Sequence, residues 1–330
     1  MPDAEVTRVA DSGSGRALTR LSDTSIYRSS WRDLLVSSVD AVCIVTPPAA
    51  HLEMVLEFVD SGKHILCEKP FGKDPAESRQ MADAVISTNV MAAVAFQYRF
   101  EPGLQALKKL LDERRIGDLQ SVECIWLTSG RHDPLSPWTW RNDVRQGGGV
   151  IGAFLSHVVD LLHWLTGEQV KELTASTEIL VPKRPLGDGS TLEVTAEDLV
   201  TAHLELTSGV RVDCHVSNCY PKTMGMRIEL TGSAGKLVYT HKPPFTAEMQ
   251  QIHLYSNGEN SKLIFKARDF LRPLSGDTRL PALRGLLQSF IQMTKANEVS
   301  NLATFEDGFA VQQVLYTVRQ SALLGSRVVC

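Results

Sequence analysis

The stretch DAVCIVTPPAAHLEMVLEFVDSGKHILCEKP, residues 40–70, decides the fold. It opens on a near-continuous apolar run, Asp40 to Pro48, ended by a proline pair. That is the pattern of a parallel strand buried on both faces. His51 to Lys63 carries its apolar residues at helical spacing. A second apolar run, KHILCEKP, stops at Pro70. Strand, helix and strand in thirty residues make a βαβ unit, whose crossover keeps the two strands parallel.

The same alternation continues outward from this core. Asp74 predicts a helix start with Pro75 at its first position, running to about Ile86. VMAAVAFQYRF (90–100) reads as a further strand, and Pro102 to Arg115 as a helix. On the upstream side, Val6 to Ala10 reads as a short strand followed by Gly13, Gly15 and a turn. Together these predict a doubly wound parallel sheet, Rossmann-like, over residues 1–120.

From Leu119 the pattern changes. SVECIWLTSG, VTAEDLVTAHLEL, VRVDCHVSNCY, MRIELTGSAGKLVYT and QIHLYSN read as long strands joined by turns. They predict an α+β domain over 121–330 with a large, mostly antiparallel, open-faced sheet. Two helices stand outside it, at about Val150 to Leu165 and Phe305 to Leu324. Val181 to Ser190, rich in proline and glycine, reads as a surface loop.

The bulk composition narrows the function classes. The chain has 330 residues, 43% hydrophobic and 22% charged, with a formal net charge of -4. No basic stripe points to nucleic acid. No charged leader precedes an apolar stretch, and no apolar run approaches the roughly 18 residues that span a bilayer. Of the six cysteines, Cys43 and Cys67 read as core residues, and Cys214, His215 and Cys219 fit no common metal spacing. The expectation is a cytoplasmic protein with reduced thiols and a small-molecule substrate, without a metal, nucleic-acid or membrane partner.

Two segments carry chemistry. In Glu68-Lys69-Pro70 a lysine stands at the carboxyl end of a parallel strand, where open αβ sheets bind their ligands. In WTWRNDVRQGGGVIGAFLSHVVDLLHWLTG (138–167), three glycines allow close backbone approach before a helix carrying His157, Asp160 and His163. His157 and Asp160 share a helix face.

With DAVCIVTPPAAH, GKHILCEKP, FQYRF, the WR of residues 140–141, GGG, SHVVDLLHWLTG, GSAGKLVYT and FEDGFAVQQVLYTVRQSALLGSRVV, the chain resembles the Gfo/Idh/MocA oxidoreductase family over nearly its whole length. The resemblance implies a Rossmann domain, an open-faced sheet domain that mediates homodimer formation, and NAD(P)-dependent oxidation of sugars, polyols or related carbonyl compounds. It places Lys69 as the active-site lysine and His157 as the histidine that moves the substrate proton. Asp11 falls where the family holds the cofactor ribose, with Thr46, Pro47 and Glu68 as further cofactor contacts. Tyr98, Arg99, Trp138, Trp140, Arg141, Phe154, Leu155 and Asp160 are the candidate substrate-binding residues.

Two departures turn this reading. Where the family helix has D-x-G-x-H, this chain has Ala153-Phe154-Leu155-Ser156-His157, so the carboxylate one turn before the histidine is gone. The opening stretch is the second departure. Were GSGRAL a phosphate turn, Leu18 would take the third glycine's place. The segment IYRSSWRDLLVSSVDAVCIV (26–45) matches the part of the family's sequence just past its second strand. EVTRVAD is then the second strand, and the first strand and its glycine turn are absent. From these losses the sequence predicts a truncated nucleotide domain with no cofactor. Its activity would be a non-redox step, a cyclisation (pericyclic ones included), isomerisation or elimination, on an apolar or carbonyl-bearing molecule. The alternatives are an NAD(P)-dependent oxidoreductase and a non-catalytic ligand-sensing regulator.

Overall fold

The computed structural model describes residues 4–11, 15, 17–256, 261–267, 277–296 and 301–330. The chain divides into two compact units. One comprises Met1–Ala95 with Leu286–Phe309, the other Phe96–Gly285 with Ala310–Cys330.

The first unit is the parallel αβ part. β1 (Val9–Ala10) pairs in parallel with β2 (Tyr27–Arg28). β3 (Ala41–Ile44), α1 (His51–Asp60), β4 (His64–Cys67), α2 (Pro75–Ile86) and β5 (Ala92–Val94) follow. The last three strands form one parallel sheet in the order β3-β4-β5. Ile65, Cys67, Ala93 and Val94 are fully buried in it. α2 starts where its signals predict: the Asp74 carboxylate accepts from the Glu77 amide at 2.9 Å and Pro75 fills the first helical position.

The second unit begins with a 3-10 turn, Gln97–Phe100, and α3 (Pro102–Asp112). Its strands are β6 (Leu119–Leu127), β7 (Val170–Glu178), β8 (Lys183–Pro185), β9 (Thr191–Glu193), β10 (Leu199–Leu206), β11 (Arg211–Ser217), β12 (Gly225–Gly232), β13 (Gly235–His241), β14 (Gln250–Ser256), β15 (Lys262–Lys266) and β16 (Val328–Val329). α4 (Ser156–Thr166) stands between β6 and β7, and α5 (Leu280–Ala296) and α6 (Phe305–Leu324) come late in the chain. Nine strands form one sheet in the order β15-β14-β13-β12-β6-β11-β10-β7-β16. Only β6 and β11 run parallel; every other neighbouring pair is antiparallel.

Three differences from the sequence reading have physical causes. α3 groups with the sheet unit because its start is tied there: the Gly103 amide donates to Gln250 Oε1 at 2.7 Å. Val181 to Ser190 is not simply a surface loop. It forms the β8–β9 hairpin, and Arg184 within it is fully buried. Among the described residues one helical stretch, Val144–Thr166, is long and apolar enough to cross a membrane, and 83% of its apolar window is buried inside the protein, as in a core helix.

Candidate active site

In the first unit, two loops leave the carboxyl ends of β3 and β4, and one side chain joins them. The buried His51 ring places Nδ1 3.0 Å from the Phe71 carbonyl and Nε2 3.0 Å from the Thr46 carbonyl. Burial pushes its pKa down, against the two carbonyls, which push it up. This clamp fixes Thr46-Pro47 on one side and Glu68-Lys69-Pro70 on the other. The Glu68 amide donates to the Ile44 carbonyl at 2.9 Å, and the Glu68 carboxylate accepts from the Lys69 amide at 3.1 Å. Glu68, Lys69 and Pro70 are half-buried, and the Lys69-Pro70 bond is cis. Lys69 thus stands at the carboxyl end of the middle strand of β3-β4-β5.

Asp11 follows β1. Its carboxylate accepts from the Gly15 amide at 3.3 Å and the Ala17 amide at 3.0 Å, so it organises its own turn. Gly15 has φ +67°, and a Cβ there would meet nothing within 4 Å, so the turn conformation alone calls for glycine. Gly13 lies outside the described residues. The Thr46 hydroxyl makes only a 3.6 Å contact to Met54 Sδ, and Pro47 is exposed. These residues fit the ribose and nicotinamide ends of a dinucleotide lying across the strand ends.

In the second unit, the helix that carries His157 starts irregularly. Gly149 has φ +102°, and a Cβ there would lie 2.2 Å from Glu197 Oε1. One on Gly148 would lie 2.5 Å from the Arg141 carbonyl. The close approach expected of the glycine run is therefore real. Glu197 accepts from the Ile151 amide at 3.1 Å and so caps the helix start. Ile151–Leu155 is a π-helical turn, which passes into α4 at Ser156. The one-turn spacing from Ala153 to His157 assumed α geometry, and the i→i+5 turn shifts that phase.

His157 is 3% exposed and surrounded by aromatic rings. Tyr98 meets it edge-on at 4.8 Å between centroids, Phe96 at 5.8 Å and Trp126 at 6.2 Å. Phe154 packs on Trp126 at 4.4 Å, and Leu155 is fully buried. Burial pushes the Tyr98 phenol well above the usual tyrosine range, so it remains a neutral donor. Trp126 and Phe96 were not singled out from the sequence. The alternation of β6 carried the signal, because Trp126 shares its inward face with Val122 and Cys124.

The remaining candidates divide. Arg99 and Asp160 form a buried, forked ion pair: Nη2 donates at 2.6 Å to Oδ1 and Nε at 3.0 and 3.1 Å to the two carboxylate oxygens. It locks the Gln97–Phe100 turn onto α4. Trp138 holds the β8–β9 hairpin, its amide donating to the Pro185 carbonyl at 2.9 Å and Nε1 to the Glu193 carbonyl at 3.2 Å. The Arg141 guanidinium lies 5.0 Å from the centre of the Trp140 ring.

The parallel αβ unit thus carries a lysine at a strand end, and the sheet unit presents a histidine among aromatic rings. Comparison with known proteins gives the family. The model for the oxidoreductase family NAD-binding Rossmann fold matches residues 1–96, and that for the Gfo/Idh/MocA C-terminal domain matches 104–238. The chain belongs to the Gfo/Idh/MocA oxidoreductase family. It is 30% identical over 230 residues to levoglucosan dehydrogenase of Pseudarthrobacter phenanthrenivorans, covering 65% of this chain and 59% of that one. It is 31% identical over 215 residues to inositol 2-dehydrogenase of Rhizobium meliloti, covering 64% and 61%. The alignments with these curated relatives span about three-fifths of the relatives' own length. Among solved structures, levoglucosan dehydrogenase in complex with NADH superposes with TM-score 0.85 at 22% identity, covering 98% of this chain and 89% of that one.

These findings overturn three expectations. The nucleotide domain is not a truncated remnant: residues 1–96 match the NAD-binding Rossmann family. The expectation of no cofactor falls with it. The non-redox cyclisation, isomerisation or elimination falls too, because the relatives are named dehydrogenases and similar folds hold NADH. They rested on Leu18 at the third glycine's place, on the match of residues 26–45 to the part of the family past its second strand, and on Ala153 and Leu155. Two local departures weigh less than the match of a whole domain.

Proposed function

We propose that this protein is an NAD(P)-dependent oxidoreductase of a sugar, polyol or related small carbonyl compound. The observation that carries the reading is the match of residues 1–96 to the NAD-binding Rossmann family, with Lys69 at the carboxyl end of β4. The names of the relatives support the substrate class.

The nicotinamide supplies hydride acceptance and donation when bound. Asp11 holds the ribose, and Thr46, Pro47 and Glu68 line the path toward the reacting end. Lys69 donates a hydrogen bond to the substrate oxygen and stabilises negative charge as the O–H proton leaves. His157 takes that proton, and returns it in the reductive direction. The rings of Phe96, Tyr98 and Trp126 hold the imidazole in place and shield it from water. Tyr98, Phe154, Trp138, Trp140 and Arg141 shape the substrate side, and Leu155 backs it. Arg99 and Asp160 hold the site together rather than touch the substrate. The same reading includes self-association through the large sheet, which light scattering checks.

Titration with NADH and NADPH, followed by fluorescence, tests the cofactor. Saturable binding of either is expected, and no binding of both defeats the reading. Turnover of inositols and anhydrosugars then tests the chemistry. Lys69→Ala and His157→Ala should each lower kcat by about 10²–10⁴-fold while leaving NADH binding intact. Full turnover in both variants would remove them from the mechanism.

A further inference from the structure

The loop from the end of β6 to the glycines before α4 carries more positive charge than its surroundings neutralise. Arg131 is half-buried, yet its guanidinium reaches only neutral oxygens, Thr139 Oγ1 at 3.3 Å and Asn142 Oδ1 at 3.4 Å. Burial pushes its pKa down, and the charges of Arg184 and Arg141 push the same way, against a smaller pull from Asp198. Arg184 is fully buried. It donates to the Asp133 carbonyl at 2.8 Å and the Arg131 carbonyl at 2.5 Å, and its buried Nε has no hydrogen-bond partner among the described residues.

The nearby carboxylates are otherwise committed. Asp198 accepts from the Val181 amide at 3.2 Å. Asp143 is forked to Arg145, and Asp133 accepts from the Leu135 amide at 2.9 Å. Among the described residues none of the three makes an ion pair with Arg131, Arg141 or Arg184 within 4 Å. A half-buried guanidinium that feels Asp198 but makes no ion pair within 4 Å among the described residues has lost part of its water without a direct counter-ion, at a net cost. Its planar fork matches carboxylate and phosphate.

The position of the loop suits a substrate group. Trp126, second from last in β6, packs beside His157, and Arg131 follows five residues on. At the other end, the Arg141 carbonyl accepts from the Gly149 amide at 3.1 Å. Gly149 leads into the π-helical turn Ile151–Leu155, and His157 is the second residue of α4 that follows it. Helical side chains lean toward the N-terminus, which brings His157 toward that end.

We propose that Arg131, with Arg141 beside it, receives an oxyanion carried by the substrate, so that the preferred substrate is a sugar or polyol bearing a carboxylate or a phosphate. The inference rests on the oxidoreductase reading for its sugar component; the oxyanion chemistry stands on the loop.

The test uses inorganic phosphate as the first probe, by calorimetry on the full chain. Phosphate should bind saturably to the wild type and at least tenfold more weakly to Arg131→Gln, with Arg131→Lys in between. Glucose 6-phosphate, glucuronate and glucose are then compared as competitors. Displacement by glucose 6-phosphate alone marks a sugar phosphate, and displacement by glucuronate alone a sugar acid. No saturable phosphate binding, equal binding by wild type and Arg131→Gln, or competition by glucose equal to that of both anionic sugars overturns the proposal. Should Arg131→Gln fail to fold, Arg131→Lys and the wild-type competition decide. NADH titration of the same samples separates the two readings: loss of NADH binding defeats the oxidoreductase, and loss of phosphate binding defeats only the oxyanion site.

Discussion

Arg99 and Arg131 belong to the same unit and have opposite surroundings. Arg99 is 5% exposed and forks onto Asp160, which is fully buried. Arg131 is half-buried, and among the described residues its guanidinium hydrogen-bonds only to Thr139 and Asn142. The first guanidinium has its anion built into the protein, and its task is to pin the 97–100 turn against the helix that carries His157. The second has the shape and the desolvation of a partner without the partner. A buried charge pair fixes structure, whereas a half-buried charge without an ion pair is available for recognition.

The largest effect should come from breaking the built-in pair. Asp160→Ala removes the buried carboxylate onto which Arg99 forks and should cost about 3–5 kcal/mol in urea unfolding. The double variant Arg99→Met with Asp160→Leu should recover most of that loss, because it removes both desolvation costs together. If the double variant is no more stable than Asp160→Ala, the pair is not the element that pins the turn.

The glycine start of the same helix comes next. Gly149→Ala forces a Cβ into Glu197 at a φ of +102°, so about 2–3 kcal/mol of destabilisation is expected. Because Glu197 also holds the Ile151 amide, kcat should fall with stability. Ala at Gly187, where a Cβ meets nothing within 4 Å, is the control and should be close to neutral.

A third contrast lies in Glu101, a buried carboxyl whose neighbour is neutral. Burial pushes its pKa up to about 7, and the Gln250 amide that donates to it acts in the opposite direction. An acid whose folded pKa is raised lends its stability fully below the unfolded value, and that contribution is lost as pH rises toward and through about 7. Wild-type stability should therefore decline between about pH 4.5 and 7 by an amount on the order of 3 kcal/mol from this group. Glu101→Gln should flatten that part of the profile, measured as urea midpoints at pH 5 and pH 8. Parallel profiles for the two proteins would show that Glu101 ionises freely in the fold.

Much of this was legible in the sequence, for reasons that differ by element. β3, β4 and α2 follow from short-range signals: an apolar run, a capping Asp74 and a proline at the first helical position. α6 fits its residue range as read, Phe305–Leu324. α5 was not read from the sequence, although Gly276, Asp277 and Pro281 punctuate its approach. Lys69 and His157 were singled out by their local segments, and the roles proposed for them came from the family resemblance. The partners of Arg99 and Arg184 were not, since a pairing 61 residues away in sequence leaves no local trace. The cofactor misreading has the same root. A glycine spacing is local, whereas nucleotide binding is a property of the whole αβ domain.

The smallest effect should come from the exposed counterpart of the Arg99 pair. Arg79 forks onto Glu306 with bonds of 3.0 and 2.8 Å, the same chemistry as Arg99 on Asp160 but end-on through Nη1 and Nη2 rather than side-on through Nε and Nη2. Here, though, the side chains are 34% and 64% exposed, and Asp83 lies 2.9 Å from the same guanidinium. Water already solvates both charges, so forming the pair gains little over leaving it open. Glu306→Gln should therefore change stability by less than about 1 kcal/mol, and less again at high salt. A loss approaching that of Asp160→Ala would mean that fork geometry sets the strength of these pairs. A small loss assigns the difference to burial, the same variable that separates Arg99 from Arg131.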